Sequence, residues 1–155
     1  MGKLVWHEYS RLVSVTASVY AVWASFWAML YRKFFWDFVE GTVRDPGGIQ
    51  PSQSAMIFVQ IIVRAPVIQI LVMVLGFMMI ALETPLPILK SMAIYRSLVL
   101  RVVLLLFQAT LTIMLYQGTN AAIYSLVAAG CYGRAIALGE EMKEAKANRG
   151  KGGGA

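Results

Sequence analysis

Four long apolar runs occupy most of this chain, at residues 12–31, 55–82, 98–116 and 119–138, the last entered through Thr119-Asn120. They hold 20, 28, 19 and 20 residues. At about 1.5 Å rise per residue, each reaches roughly the 30 Å of a bilayer hydrocarbon core. A helix on the surface of a soluble domain carries one apolar stripe and one polar face. These runs are apolar nearly all round. Hydrocarbon offers no partner to backbone N–H and C=O groups, so runs of this kind must be helices. The expected fold is all-α: an integral membrane four-helix bundle with short loops, one domain over residues 1–155, with residues 139–155 a polar tail that continues the last helix.

Charge supports that reading and orients it. The formal net charge is +6, which in a soluble protein would suggest nucleic acid. Here the basic residues segregate by side. With four spans, one side holds Lys3, Arg11, Lys90, Arg96, Arg134, Lys143, Lys146, Arg149 and Lys151, and the other only Arg32, Lys33 and Arg44. Positive residues collect in the cytoplasm, so both termini are expected there and no nucleic-acid partner is expected. The first run is too long for the core of a cleaved signal peptide. Met1-Gly2 lacks the Ser or Thr that myristoylation expects at the sixth residue, where Trp6 stands. Neither asparagine lies in a glycosylation acceptor, and the single Cys131 excludes an intrachain disulfide.

Two seams of small residues are expected to bring helices together. In the first span Ser14, Ser18, Ala21, Ser25 and Ala28 alternate spacings of four and three. In the fourth, Ala121, Ser125, Ala129, Gly133 and Ala137 recur every four. Tyr20, Trp23, Trp27 and Tyr31 form a second stripe on the first span, continued by Phe34, Phe35, Trp36 and Phe38. Such belts anchor helices at the membrane interface, or wall a lipid or ligand site. Asp45-Pro46-Gly47-Gly48 marks a turn in the outer loop.

Ionisable groups inside a membrane are the default functional candidates. Arg64 lies two to three turns into the second span, beside Pro66, which removes the hydrogen bond to Ile62 and should kink the helix. Gln60 and Gln69 flank it as a polar cluster. Arg101 lies one turn into the third span, at the depth of Glu83, so a Glu83–Arg101 pair is expected, with Gln108 further along. Chemistry is otherwise thin. The spans hold no Asp and no His, so they offer neither a nucleophile with a base nor paired carboxylates. No catalytic residue, metal site or cofactor is expected. The lone His7 is expected at the surface.

The stretch Lys3-Leu4-Val5-Trp6-His7-Glu8-Tyr9-Ser10-Arg11-Leu12-Val13-Ser14-Val15-Thr16-Ala17, with Tyr31-Arg32-Lys33-Phe34-Phe35-Trp36-Asp37-Phe38, Gly47-Gly48-Ile49-Gln50-Pro51 and Tyr116-Gln117-Gly118-Thr119-Asn120-Ala121-Ala122, resembles a group of fungal membrane proteins of unassigned function. The resemblance implies a eukaryotic four-span protein and brings no activity with it. The topology also resembles the MARVEL type. The expected role is that of a non-enzymatic accessory or scaffolding protein of the plasma membrane or endomembrane system. Its helix faces would bind lipids and other integral membrane proteins, or a second copy. The alternative is a small transporter or channel for an anionic or amphipathic solute, using Arg64 and Arg101.

Overall fold

The computed structural model describes residues 4–32, 53–84, 86, 89 and 93–142, and these are all-helical. Six helices follow one another: α1 (Trp6–Tyr31), α2 (Met56–Arg64), α3 (Val67–Glu83), α4 (Ala93–Arg96), α5 (Leu98–Thr112) and α6 (Thr119–Ala137). The outer-loop turn at 45–48, the aromatic residues 34–38 and the basic tail from residue 143 lie outside the described residues.

By length and composition, α1 is the one described helix long and apolar enough alone to cross a membrane. α2 and α3 pass that test only together, and they meet at an angle of 63°. α5, at 15 residues, is shorter than a span. α6 is a 19-residue helix rich in Ala, Gly and Tyr.

α1 is the central element, lying along both α6 and α3, with α5 against α6. Its packing face is the small-residue seam: Ser14, Ser18, Ala21, Ser25 and Ala28 are all buried, joined by Ser10, Ala17 and Ala24. Small side chains let neighbouring backbones approach. The approach is closest at Gly76 of α3, where an added Cβ would stand 2.7 Å from Val22 and 3.2 Å from the Ser18 carbonyl. Ser10 and Ser18 cost little inside because they donate to carbonyls one turn back, those of Trp6 and Ser14.

On α6 the buried seam follows a different set from the one a strict spacing of four selects. Ala121, Ser125, Ala128, Tyr132 and Ala135 are buried, with Ala129, whereas Gly133 and Ala137 are exposed. At 3.6 residues per turn, each step of four turns about 40° around the helix, so a strict fourfold series walks off the contact face. Alternating four and three keeps to it.

The second run breaks at Pro66 as expected. The six residues Val59–Arg64 form a π turn, and the Ala65 N–H reaches back to the Gln60 carbonyl. Pro66 cannot bond the Ile62 carbonyl, and Gln69 supplies the missing donor, its Nε2 lying 2.7 Å from that oxygen. α6 ends at Ala137 and does not run on through Gly139. Gly139 has φ of +68°, its N–H bonds the Ile136 carbonyl, and the Glu140 N–H bonds the Ala135 carbonyl. That is the paired bonding of a glycine C-terminal stop, and it turns the chain out of the helix.

Apolar residues make up most of the interior and also cover the outward faces, and a set of polar side chains is enclosed among the buried ones. Gln69, Glu83, Arg101, Gln108 and Thr112 are buried, along with four serines of α1 and Ser125. The outward faces carry Ile70, Leu71, Val74 and Phe77 of α3, Val99, Val103, Leu106 and Phe107 of α5, and Ile123, Leu126 and Val127 of α6, all exposed.

Candidate functional site

Polar chemistry concentrates at the end of the bundle where α1 begins and α6 ends. α3 stops there on Glu83, leaving its last carbonyls without intrahelical partners. Two arginines from other elements fill those positions. Arg101 of α5 donates through Nη2 to the Leu82 carbonyl at 2.8 Å, and Arg11 of α1 donates through Nε to the Glu83 carbonyl at 2.6 Å. Cations at a helix C-terminus also complement its dipole. The Glu83 carboxylate completes the cluster. Its Oε2 lies 3.4 Å from Arg101 Nε, and the Tyr132 hydroxyl of α6 sits 2.8 Å from both carboxylate oxygens. Arg101 further bonds the Tyr95 carbonyl and Met142 Sδ, with its guanidinium 5.3 Å from the Tyr95 ring. Glu83, Arg101 and Tyr132 are each only 1% exposed.

Glu83 and Arg101 are thus brought together, in the interior of the bundle. Tyr132 and Arg11 were not anticipated as members. Tyr132 was legible in principle, because it occupies the alternating four-and-three register of α6 that α1 also uses. Arg11 had no local signal, since only the fold brings α1 to the end of α3.

Beside this knot the two ends of the described chain are clasped. Val5 precedes α1 without a side-chain cap, leaving the first N–H groups of the helix unsatisfied. Glu140, turned back by Gly139, takes them: Trp6 N–H donates to Oε1 at 3.1 Å and His7 N–H to Oε2 at 2.9 Å. His7 Nδ1 lies 2.8 Å from the same Oε2, and the Arg134 guanidinium stacks 5.3 Å from the Trp6 ring. Partial burial pushes the Glu140 carboxyl up, but the hydrogen bonds from His7 and Trp6 outweigh it and hold the group below the usual carboxylate range. His7 is therefore part of a tertiary contact rather than an isolated surface residue.

The expected cluster around Arg64 is not assembled. Arg64 and Gln60 are exposed, while Gln69 is buried against the kink. The bend at Pro66 carries Arg64 to the far end of α1, where its carbonyl accepts a 3.3 Å bond from Arg32. Gln108 makes a separate contact, donating to the Ser125 hydroxyl at 2.9 Å. Arg64, Gln69, Gln108 and Arg101 therefore occupy four separate contacts and do not converge on one path. No group of three or more His, Cys, Asp or Glu able to hold a metal ion occurs among the described residues.

The opposite end is aromatic. Trp23, Trp27 and Tyr31 form a continuous ladder along α1, with centroid spacings of 5.6 and 5.8 Å. Tyr20 stacks on Tyr124 of α6 at 5.6 Å and 1° between planes, which ties this face of α1 to α6. Tyr116 and Gln117, in the turn joining α5 to α6, face the ladder across an open cavity of about 520 Å³. The turn is closed tightly at Gly118, where a Cβ would fall 1.7 Å from the Thr112 carbonyl oxygen.

A family model described as a domain of unknown function (DUF7727) matches residues 1–140, a stretch that encloses the knot, the aromatic end and Glu140 of the clasp. No curated protein and no solved structure matches the chain.

Proposed function

For this chain, which belongs to the DUF7727 family of unknown function, we propose the role of a four-span integral membrane protein without enzymatic chemistry, acting through its outward helix faces as an accessory or scaffold for lipids and other membrane proteins. The observation that carries this reading is the apolar outside of a bundle that encloses polar groups. The interior is mainly Ala, Val, Leu, Ile and Met but also holds Gln69, Glu83, Arg101, Gln108 and Thr112, while Val, Leu, Ile and Phe cover the outside. In water such a surface is a large aggregation-prone apolar patch. In lipid it is the matched surface, and the buried polar contacts become the specific ones. The four spans are α1, the bent α2–α3 pair, α5 with its following turn, and α6. Both termini lie on the cytoplasmic side, with the clasp and the Glu83–Arg101–Tyr132 knot just beneath that surface.

The scaffold role draws on α6. Its buried seam is used by α1, while Gly130 and Gly133 face outward with open space beyond them. A partner helix can approach closely over such a surface. Two experiments test the proposal. Membranes carrying the protein are washed with alkaline carbonate, where a peripheral protein is released and this one stays. The tagged protein is then isolated in mild detergent. A stoichiometric membrane-protein partner, or a second copy, that is lost in Gly130→Leu/Gly133→Leu supports the role, and a protein recovered alone and monomeric refutes it. Cysteines at Gly47 and Gly153 in a Cys131→Ser background report the topology: an impermeant reagent labels the first on intact cells and not the second.

A further inference from the structure

We propose that the aromatic cavity opposite the clasp binds the choline headgroup of a membrane phospholipid, holding its trimethylammonium against the ring wall of α1. This rests on the membrane-spanning reading above. Depth is the first argument. α1 and α6 meet at the clasp end, where Arg134 covers Trp6. α1 has 26 residues and α6 has 19. Seven more residues, at about 1.5 Å each, carry α1 roughly 10 Å beyond the first residue of α6, alongside the α5–α6 turn. That excess is about the thickness of one headgroup layer, so Trp27 and Tyr31 stand among headgroups rather than acyl chains.

Charge and shape are the second and third arguments. The cavity is lined by Trp23, Trp27, Tyr31, Tyr116 and Gln117, with no acidic or basic side chain among these lining residues. Aromatic rings attract cations, so an aromatic wall with no carboxylate among its lining residues suits a cation that needs no hydrogen-bond acceptor. A quaternary ammonium is that cation: it has no N–H, and its charge is spread over methyl groups that pack on rings. A primary ammonium carries three N–H donors and finds only the Gln117 amide oxygen and two tyrosine hydroxyls to accept them, so it gains less here than in water. Adjoining the ring wall, a second cavity of about 350 Å³ shares Trp23 and Gln117 and adds Tyr20, Thr119 and Asn120. Their amide and hydroxyl donors lie where the phosphate and ester oxygens of the same lipid would follow. The aromatic stripe alone is an ordinary interface belt. The facing wall from the α5–α6 turn makes it a cavity with a polar floor.

Phosphatidylcholine and phosphatidylethanolamine differ at this site only in the methyl groups, which makes the pair a direct test. Full-length protein in maltoside micelles is equilibrated with equimolar phosphatidylcholine, phosphatidylethanolamine and phosphatidylglycerol of identical chains, and retained lipid is counted by native mass spectrometry. Wild type is expected to retain the choline lipid about fivefold or more over ethanolamine, a difference of about 1 kcal/mol in all. Trp27→Leu should bring the ratio to about one, Trp27→Phe should keep part of it, and Gln117→Ala should weaken retention of all three lipids. If Trp27→Leu does not fold, the Phe and Gln117 variants carry the test, and unchanged ratio and retention in both overturn the site. Equal retention of all three lipids by wild type also overturns it, as does displacement of the choline lipid by a sterol. A protein that leaves membranes in carbonate refutes the membrane reading itself. One that stays and shows no headgroup preference refutes only this site.

Discussion

Replacing Arg101 by Met should destabilise the bundle more than any other single change at the knot. The side chain is fully enclosed, and its removal has two consequences. The Leu82 and Tyr95 carbonyls lose their donor, at about 1–3 kcal/mol for each buried group left unsatisfied. The Glu83 carboxylate also loses the cation 3.4 Å away and keeps the Tyr132 hydroxyl, which is the costly case of a buried pair broken on one side. Such breaks cost about 3–5 kcal/mol, whereas removing both charges together is often close to neutral. Arg101→Met should therefore lower unfolding free energy by about 3–5 kcal/mol. The double variant Arg101→Met/Glu83→Met should recover about 2–3 kcal/mol of that loss, within the usual range for residues in contact. The assay is reversible unfolding from mild detergent by titration with a denaturing detergent, run as a double-mutant cycle. Additive single losses, or an Arg101→Met cost below about 1 kcal/mol, would refute the claim that these charges are buried and mutually dependent.

Gln69→Leu should cost about 1–2 kcal/mol by stripping the donor from the Ile62 carbonyl, and adding Pro66→Ala should restore most of it, because residue 66 then has an N–H for that oxygen; the same titration measures both. Gly118→Ala should abolish folded protein in size-exclusion chromatography, since its Cβ collides with the Thr112 backbone, whereas Gly133→Ala meets open space and should gain about 0.5–1 kcal/mol from helix propensity. The clasp sets an acid limit. Glu140 is held below its unfolded value, so its contribution is complete above the ordinary carboxylate range and is lost as pH falls through the folded value. Melting curves of wild type and Glu140→Ala should therefore differ at pH 7 and converge toward pH 3, and a constant difference would remove Glu140 from the clasp.

How much of this was legible in the chain follows from the range of each interaction. Helix content, the break at Pro66 and the seam of α1 are written in local pattern: apolar length, a missing N–H, and small residues in a four-and-three rhythm. The depth match between Glu83 and Arg101 was also legible, because rise per residue places both near one end. Depth along a helix axis does not give rotation about it or the angle at a bend. For that reason Arg64, assigned to the interior by counting residues, is exposed once a 63° bend and a π turn intervene, and Gly133 and Ala137 drift off the face that spacing alone gave them. The tertiary structure alone decided that Arg11 and Arg101 finish α3, that Tyr132 shares their carboxylate, and that Glu140 caps α1 from 133 residues or more away. Each of these is a bond from one element to the unsatisfied end of another. An unfinished helix end specifies that a donor or acceptor is needed, and only the packing of the other helices determines which residue arrives to supply it.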